Sequence, residues 1–207
     1  MDRPDAVIFD IGNVLIEWRP ERYYDHLMGR TARQRMFAAV DLHAMNEAID
    51  RGAPFLETVE AWARAHPAWS AMVMHWHNNW PDLATPEIPE TVATLRALKA
   101  RGTAVFLLSN IGAETFALAA RRYPFLAEAD RLYLSGPMQV TKPDPRIYAM
   151  VEADCGLPPG KLLFVDDRRE NIAAAAARGW RTHLFDGPAG WNARLRAEGI
   201  LSGEETE

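Results

Sequence analysis

VIFDIGNVL, residues 7–15, is a short apolar run that ends on a carboxylate and breaks at once into Gly12-Asn13. A continuous apolar run bounded by turn residues reads as a buried strand, so a strand is expected at residues 6–9 with Asp10 at its carboxyl end. The same pattern returns further along. Apolar runs at 103–108, 131–134, 162–165 and 181–185 read as strands, and residues 91–101, 113–122, 145–155 and 171–178 between them read as helices. Gly102, Gly156 and Gly179 close three of those helices, as glycine does where the chain must leave helical geometry. The Ala-rich stretch 173–177 is expected to be a tightly packed helix. Strands alternating with helices imply βαβ units. The expected fold class is therefore α/β, a doubly wound parallel sheet.

One segment departs from this rhythm. From Pro20 to Trp80 the strand-like runs vanish, and aromatics, Met and Ala recur among charges at helical spacings, with breaks at Arg51-Gly52 and His66-Pro67. A block of helices directly after a first strand reads as an insert. The expected division is residues 1–18 and 87–207 for the α/β core and 19–86 for an inserted α-helical unit.

Composition bounds the function classes. The 207 residues are 48% hydrophobic and 25% charged, a globular balance, and a chain of this length buries about 70% of its unfolded surface without disulfide or metal staples. With 23 basic against 28 acidic residues the net charge is −5, a field that repels a polyphosphate backbone, so no nucleic-acid partner is expected. The single cysteine, Cys155, excludes an internal disulfide and a cysteine-based zinc cluster. No apolar stretch approaches the ~20 residues that span a bilayer. Asp2, Asp5 and Asp10 interrupt any secretory apolar core, so a soluble, cytoplasmic protein with no membrane partner is expected. The tail beyond Leu201 is acidic and expected to fray. No oligomeric state is legible.

In open parallel sheets ligands collect outside the carboxyl ends of the strands. Those positions hold Asp10, then Ser109-Asn110, then Asp166-Asp167, with Lys142 in the loop after the third strand. A lone Asp after a strand is more often a helix cap than a catalyst. Three carboxylates, a lysine and a hydroxyl at successive strand ends are harder to dismiss. Such a set suits metal-assisted phosphoryl transfer. Hard carboxylate oxygens hold Mg²⁺, and a carboxylate can attack phosphorus to give an aspartyl-phosphate. Ser109, Lys142 and backbone N–H groups at a helix start can receive the phosphate oxygens.

The order of these motifs resembles the haloacid dehalogenase-like (HAD) hydrolase superfamily, in its group with a helical cap after the first strand. The segments that carry the resemblance are VIFDIGNVL at 7–15, LLSN at 107–110, TKPDPRIY at 141–148 and LFVDDRRENI at 163–172. The DxGN form of the first and the KP-x-x-RIY of the third are similar to a bacterial sugar-phosphate phosphatase subgroup that includes alpha-D-glucose-1-phosphate phosphatase. The resemblance implies a Rossmann-like core under a helical cap, and a Mg²⁺-dependent phosphatase acting on a small phosphorylated metabolite such as a sugar phosphate. It implies Asp10 as nucleophile and metal ligand, and Gly12 as a metal ligand through its backbone carbonyl. Ser109 and Asn110 would bind the phosphoryl group, and Lys142 would bridge nucleophile and phosphate. Asp167 would be a direct metal ligand and Asp166 a supporting one, with Asn171 near a further supporting position.

The chain departs from the family's phosphatases at one place. Most carry a second Asp two residues after the nucleophile as general acid and base; here that residue is Gly12. Losing positioned proton transfer costs about 10²–10⁴-fold. Glu17 and His77 are weak candidates for a replacement, or a good leaving group needs little protonation. Two alternatives follow from Gly12, a metal-independent haloacid dehalogenase and a catalytically silent phosphate-ligand binding protein. The adjacent Asp166-Asp167 pair weighs against the dehalogenase, because carboxylates facing Asp10 repel unless a cation lies between them. Within the insert, Asn46, Asp50 and Arg51 beside Gly52 form a polar cluster at a helix break, and Asn46, Arg51 and Trp80 are the candidate specificity residues. Trp76 and Trp80 read first as packing, as do Trp62 and Trp69. His75 and His77, at i and i+2, share no helical face and make a poor metal pair.

Overall fold

The computed structural model describes residues 3–201; the acidic stretch beyond Leu201 lies outside the described residues. In chain order the elements are β1 (Ala6–Phe9), β2 (Ile16–Trp18), α1 (Pro20–Met28), α2 (Arg30–Ala39), α3 (Leu42–Asp50), α4 (Phe55–Ala65), α5 (Ser70–Asn78), α6 (Trp80–Leu83) and β3 (Ala84–Glu87). Then follow α7 (Pro89–Ala100), β4 (Ala104–Ser109), α8 (Ala113–Arg122), β5 (Arg131–Leu134), α9 (Ser135–Met138), α10 (Pro145–Cys155), β6 (Leu162–Asp166), α11 (Arg169–Ala177), β7 (Arg181–Leu184) and α12 (Pro188–Ala197).

The main sheet has five strands in the order β5-β4-β1-β6-β7, with every pairing parallel. β1 is central, and Ala6 to Phe9 pair with 104–107 on one side and 162–165 on the other. Alternation along these strands feeds two cores. Val7, Phe9, Val105, Leu107, Leu163 and Val165 point into one, and Ala6, Ile8, Phe106, Leu108, Leu162 and Phe164 into the other. A strand covered on both faces must be apolar at every position, and β1 is buried throughout. The chain winds from β1 outward to β5, then returns to β6 on the far side of β1. Its topological switch point thus lies between β1 and β6, where such sheets bind ligands. The expected α/β fold is observed.

The segment between β2 and β3 is helical, and those two short antiparallel strands at its base were not anticipated. They are three and four residues long, and β3 reads ATPE, too short and too polar for a strand signal. Helix α12 was also missed. Its first three residues are Pro-Ala-Gly after Gly187, which reads as loop, yet proline suits a helix's first turn. The Ala-rich helix is packed along one line only: Ala175 is buried while Ala173, Ala176 and Ala177 are exposed.

The insert shares its core with the sheet. One cluster runs from Val7 and Phe9 through Ile49, Met36 and Trp76. Asp41 caps α3 by accepting the Ala44 N–H at 2.9 Å, as an N-terminal Asp does for otherwise unpaired donors. The far end of α3 is seated on the core by three glycines. A Cβ on Gly52 would lie 2.8 Å from the Gly136 carbonyl oxygen, and one on Gly112 would lie 2.9 Å from Ile49 Cγ2. Gly52 also has φ +103°, a conformation costly for other residues. No helix of the described residues is long and apolar enough to cross a membrane.

Candidate active site

The carboxyl ends of β1, β4 and β6 bring Asp10, Ser109 and Asp166 to one rim, the loops after β4 and β6 add Asn110 and Asp167, and the segment between α9 and α10 adds Lys142. All of these except Asp166, which lies beneath, join Gly12 and residues of α3 in lining a cleft of about 360 Å³. Parallel pairing fixes the height of each strand end, so the sheet sets the spacing of the charges.

Lys142 is the centre of the cluster. Its side chain is 1% exposed, and its Nζ lies 3.0 Å from Asp10 Oδ1 and 2.6 Å from Asp166 Oδ2. It also donates to the Leu108 carbonyl at 2.9 Å, so all three ammonium protons have acceptors. Burial works against the lysine's charge, but Asp10 and Asp166 outweigh it and hold its pKa above the ordinary value. The main chain at Lys142 is clasped by Asn110, whose Nδ2 donates to the Lys142 carbonyl at 2.9 Å while its Oδ1 accepts the Lys142 N–H at 2.8 Å. The side-chain amide thus copies a backbone pairing and locks two loops into register.

Asp166 is buried and held from three directions. Besides the lysine, its Oδ1 accepts the Arg168 N–H at 2.8 Å, and Asn171 Nδ2 reaches both carboxylate oxygens at 2.9 and 3.0 Å. Asp167 is held by Asn13, whose Nδ2 donates to Oδ2 at 3.0 Å. Asn13 sits at φ 55°, a left-handed conformation that asparagine tolerates, and its Oδ1 accepts the Trp18 N–H. Asp10 accepts the Ile11 N–H at 2.7 Å.

Carboxylate oxygens of Asp10, Asp166 and Asp167 lie within 4.8 Å of one another. Burial pushes the Asp10 carboxyl up to about 7, with Lys142 opposing and Asp166 and Asp167 adding to the rise. Burial likewise raises Asp167, against the Asn13 hydrogen bond. With three carboxylates ionised against one ammonium, the cluster keeps two uncompensated negative charges. Asn171 Oδ1 is buried without a hydrogen-bond partner. Hard oxygen donors, excess negative charge and an orphaned oxygen fit a divalent cation.

The expected residues Asp10, Gly12, Ser109, Asn110, Lys142, Asp167 and Asn171 line the one cleft, and Asp166 lies buried beneath it. Asn46, Arg51 and Trp80 line it also. Trp80 is 4% exposed and packs on Trp18, ring centroids 5.8 Å apart, so it is part of a wall. Glu17 and His77 do not contribute. Glu17 pairs with Arg22 at 2.6 Å, and His77 lies on the Phe55 ring, centroids 4.7 Å apart. His75 is engaged by the Tyr23 hydroxyl at 2.9 Å. Trp76 is fully buried, and Trp62 and Trp69 pack against the core. Sequence reasoning gave Asn13 no role, although the N of DxGN was its signal, and it passed over His43 and Glu47, which join the cleft from α3.

The family model described as haloacid dehalogenase-like hydrolase matches residues 4–179; the chain belongs to this family of hydrolases. Among curated proteins it is 32% identical over 97 residues to D-ribitol-5-phosphate phosphatase of Bacteroides thetaiotaomicron, covering 44% of this chain and 47% of that one. It is also 32% identical over 94 residues to (S)-2-haloacid dehalogenase 1 of Pseudomonas sp. (strain CBS-3), covering 45% and 41%. The match thus spans less than half the length of either relative. Among solved structures, a HAD family enzyme of B. thetaiotaomicron in its magnesium complex superposes with TM-score 0.71 at 21% identity, over 94% of this chain and 100% of that one. L-2-haloacid dehalogenase from Xanthobacter autotrophicus gives TM-score 0.64 at 19% identity, over 96% and 85%. At these identities the likeness is one of fold.

Proposed function

We propose that this hydrolase is a Mg²⁺-dependent phosphatase that cleaves a small phosphorylated metabolite, of the sugar-phosphate class, through an aspartyl-phosphate on Asp10. The observation that carries the reading is the Asp166-Asp167 pair set against Asp10 around Lys142. Asp10, Asp167 and the Gly12 carbonyl would hold the cation, with Asp166 and Asn171 in support. When bound, Mg²⁺ supplies charge neutralisation that lets a carboxylate approach a phosphate.

The chain's own residues do the rest. Asp10 offers an oxygen in line with phosphorus. Lys142 stabilises the negative charge shared by Asp10 and the phosphoryl oxygens. Ser109 and the N–H groups opening α8 receive the other oxygens. Residues 19–86 act as a cap that covers the rim and excludes water, and Asn46, Arg51 and the Trp80 wall face the part of the substrate that does not react. A phosphatase relative and a related fold crystallised with magnesium and inorganic phosphate support the reading.

The dehalogenase relatives and Gly12 favour a second reading, a metal-independent haloacid dehalogenase. The acidic pair weighs against it, since without a cation it repels the ionised nucleophile. Phosphate release from a panel of sugar and polyol phosphates separates the possibilities. Release is expected with Mg²⁺, and its loss with EDTA and in Asp10→Asn. A panel without turnover in the presence of metal overturns the phosphatase, and EDTA-insensitive halide release from 2-haloacids establishes the second reading. Binding without phosphoryl transfer to Asp10 in a single turnover would instead identify a silent phosphate-binding protein.

A further inference from the structure

A phosphatase of this design needs a group that protonates the leaving oxygen, and Gly12 has no side chain to do so. The α3 side of the same cleft has one. Asp50, the last residue of α3, lines the cleft with Asp10 and Gly12. Its Oδ2 accepts the Asn46 Nδ2 hydrogen bond at 2.8 Å, which aims the carboxyl. Its main-chain carbonyl accepts the Ser135 hydroxyl at 2.6 Å. The contacts of Ile49 with Gly112 and of Gly52 with Gly136 seat the residues on either side. Asp50 is thus carried by the insert but fixed against the core loops that follow β4 and β5. Rigid placement of this kind is what proton transfer requires.

We infer that Asp50 is the proton donor and acceptor for the reaction at Asp10, standing in for the side chain absent at position 12. The inference rests on the phosphatase reading. As the Asp10 oxygen bonds to phosphorus and the ester P–O bond breaks, the leaving oxygen takes the Asp50 proton. Water then bonds to phosphorus, the aspartyl P–O bond breaks, and a proton from that water returns to Asp50. Both carboxyl groups end as they began.

The surroundings of Asp50 suit a carboxyl that begins protonated. Burial, then Glu47 and Asp10, hold it well above the ordinary carboxylate range, against the Gly112 N–H and Arg51. α9, packed beside it, reads Ser-Gly-Pro-Met and carries no titratable side chain. On α4, also alongside, Glu60 and Arg64 pair with each other in solvent, and Glu114 opening α8 is taken by the Phe55 N–H.

The test is leaving-group dependence. p-Nitrophenolate leaves without a proton, whereas an alkoxide does not. In Mg²⁺ buffer, Asp50→Asn should lower kcat/KM for an alkyl phosphate from the sugar and polyol panel by about 100-fold or more. For p-nitrophenyl phosphate it should stay within about threefold of the wild type, a span of less than 1 kcal/mol in barrier. Retained p-nitrophenyl phosphate turnover also certifies folding. If Asp50→Asn does not fold, Asp50→Ser carries the same comparison. Equal loss with both substrates, or loss with neither, overturns the role of Asp50 alone. A wild type that cleaves only p-nitrophenyl phosphate overturns it too. A wild type that releases phosphate from neither class overturns the phosphatase reading itself.

Discussion

Lys142 and Asp166 form an ion pair of 2.6 Å with the lysine side chain 1% and the aspartate side chain 0% exposed. A buried pair contributes little net stability over an apolar one, but breaking it strands a charge. Lys142→Met should therefore lower the stability of the metal-free protein by about 3–5 kcal/mol at pH 7 in urea titration. The loss should shrink near pH 5, where Asp10, whose carboxyl burial holds up near 7, carries a proton. An equal loss at both values would show that packing, not charge, is what Lys142 supplies.

The acidic cluster sets the sign of the pH dependence. Asp10 has its pKa raised to about 7 in the fold, above its unfolded value of 3.8, so between those values the folded state holds the extra proton. Its contribution to stability is present at low pH and is lost as pH rises through about 7, and Asp167, also raised, acts in the same direction. Without metal the melting temperature should fall between pH 5 and pH 7.5. Saturating Mg²⁺ at pH 7.5 should restore it, with about 2.7 kcal/mol gained at a hundred times Kd. In Asp167→Asn the metal-dependent shift should disappear while the metal-free protein becomes no less stable. A melting temperature indifferent to Mg²⁺ would remove the cation from the account.

Asn110 makes two hydrogen bonds to the backbone of Lys142 and none of that work needs the substrate. Asn110→Ala should cost about 2 kcal/mol of stability, the usual sum for two such bonds. It should also lower kcat more than it raises KM, because the ammonium loses its fixed position. Differential scanning calorimetry and steady-state kinetics read the two effects separately.

Position 12 has room for the side chain it lacks. A Cβ there would meet nothing nearer than Trp18 Cβ at 3.8 Å. Gly12→Asp placed in the Asp50→Asn background should recover alkyl-phosphate hydrolysis by tenfold or more, about 1.4 kcal/mol in barrier. No recovery, with folding intact by circular dichroism, would mean that the leaving group is reached only from the α3 side.

The three central strands of the main sheet were legible because each is covered on both faces, which forces apolar runs at 6–9, 104–108 and 162–165. Their carboxyl ends then marked the rim, so Asp10, Ser109, Lys142 and Asp167 could be found from order alone. β2, β3 and α12 were not legible. The first two are stabilised by pairing with each other across the whole insert, and α12 opens with residues that locally favour a loop. Asn13 escaped for a related reason: its partner Asp167 is 154 positions away, and no local pattern encodes that hydrogen bond. Asp50 was visible as polar sequence at a helix break, but its place in one cleft with Asp10 and Gly12 exists only after the insert folds back.

The seam of Gly52, Gly112 and Gly136 divides the labour of the molecule. Ionic machinery sits on strand ends whose spacing the parallel ladder dictates, while His43, Asn46 and Glu47 reach the cleft from a single nine-residue helix and Arg51 from the residue that ends it. On the proposed reading, substitutions at His43, Asn46, Glu47 and Arg51 would retune substrate preference while leaving Lys142 and the strand-end carboxylates in place, provided Asp50 is kept and the three small residues beneath it stay small.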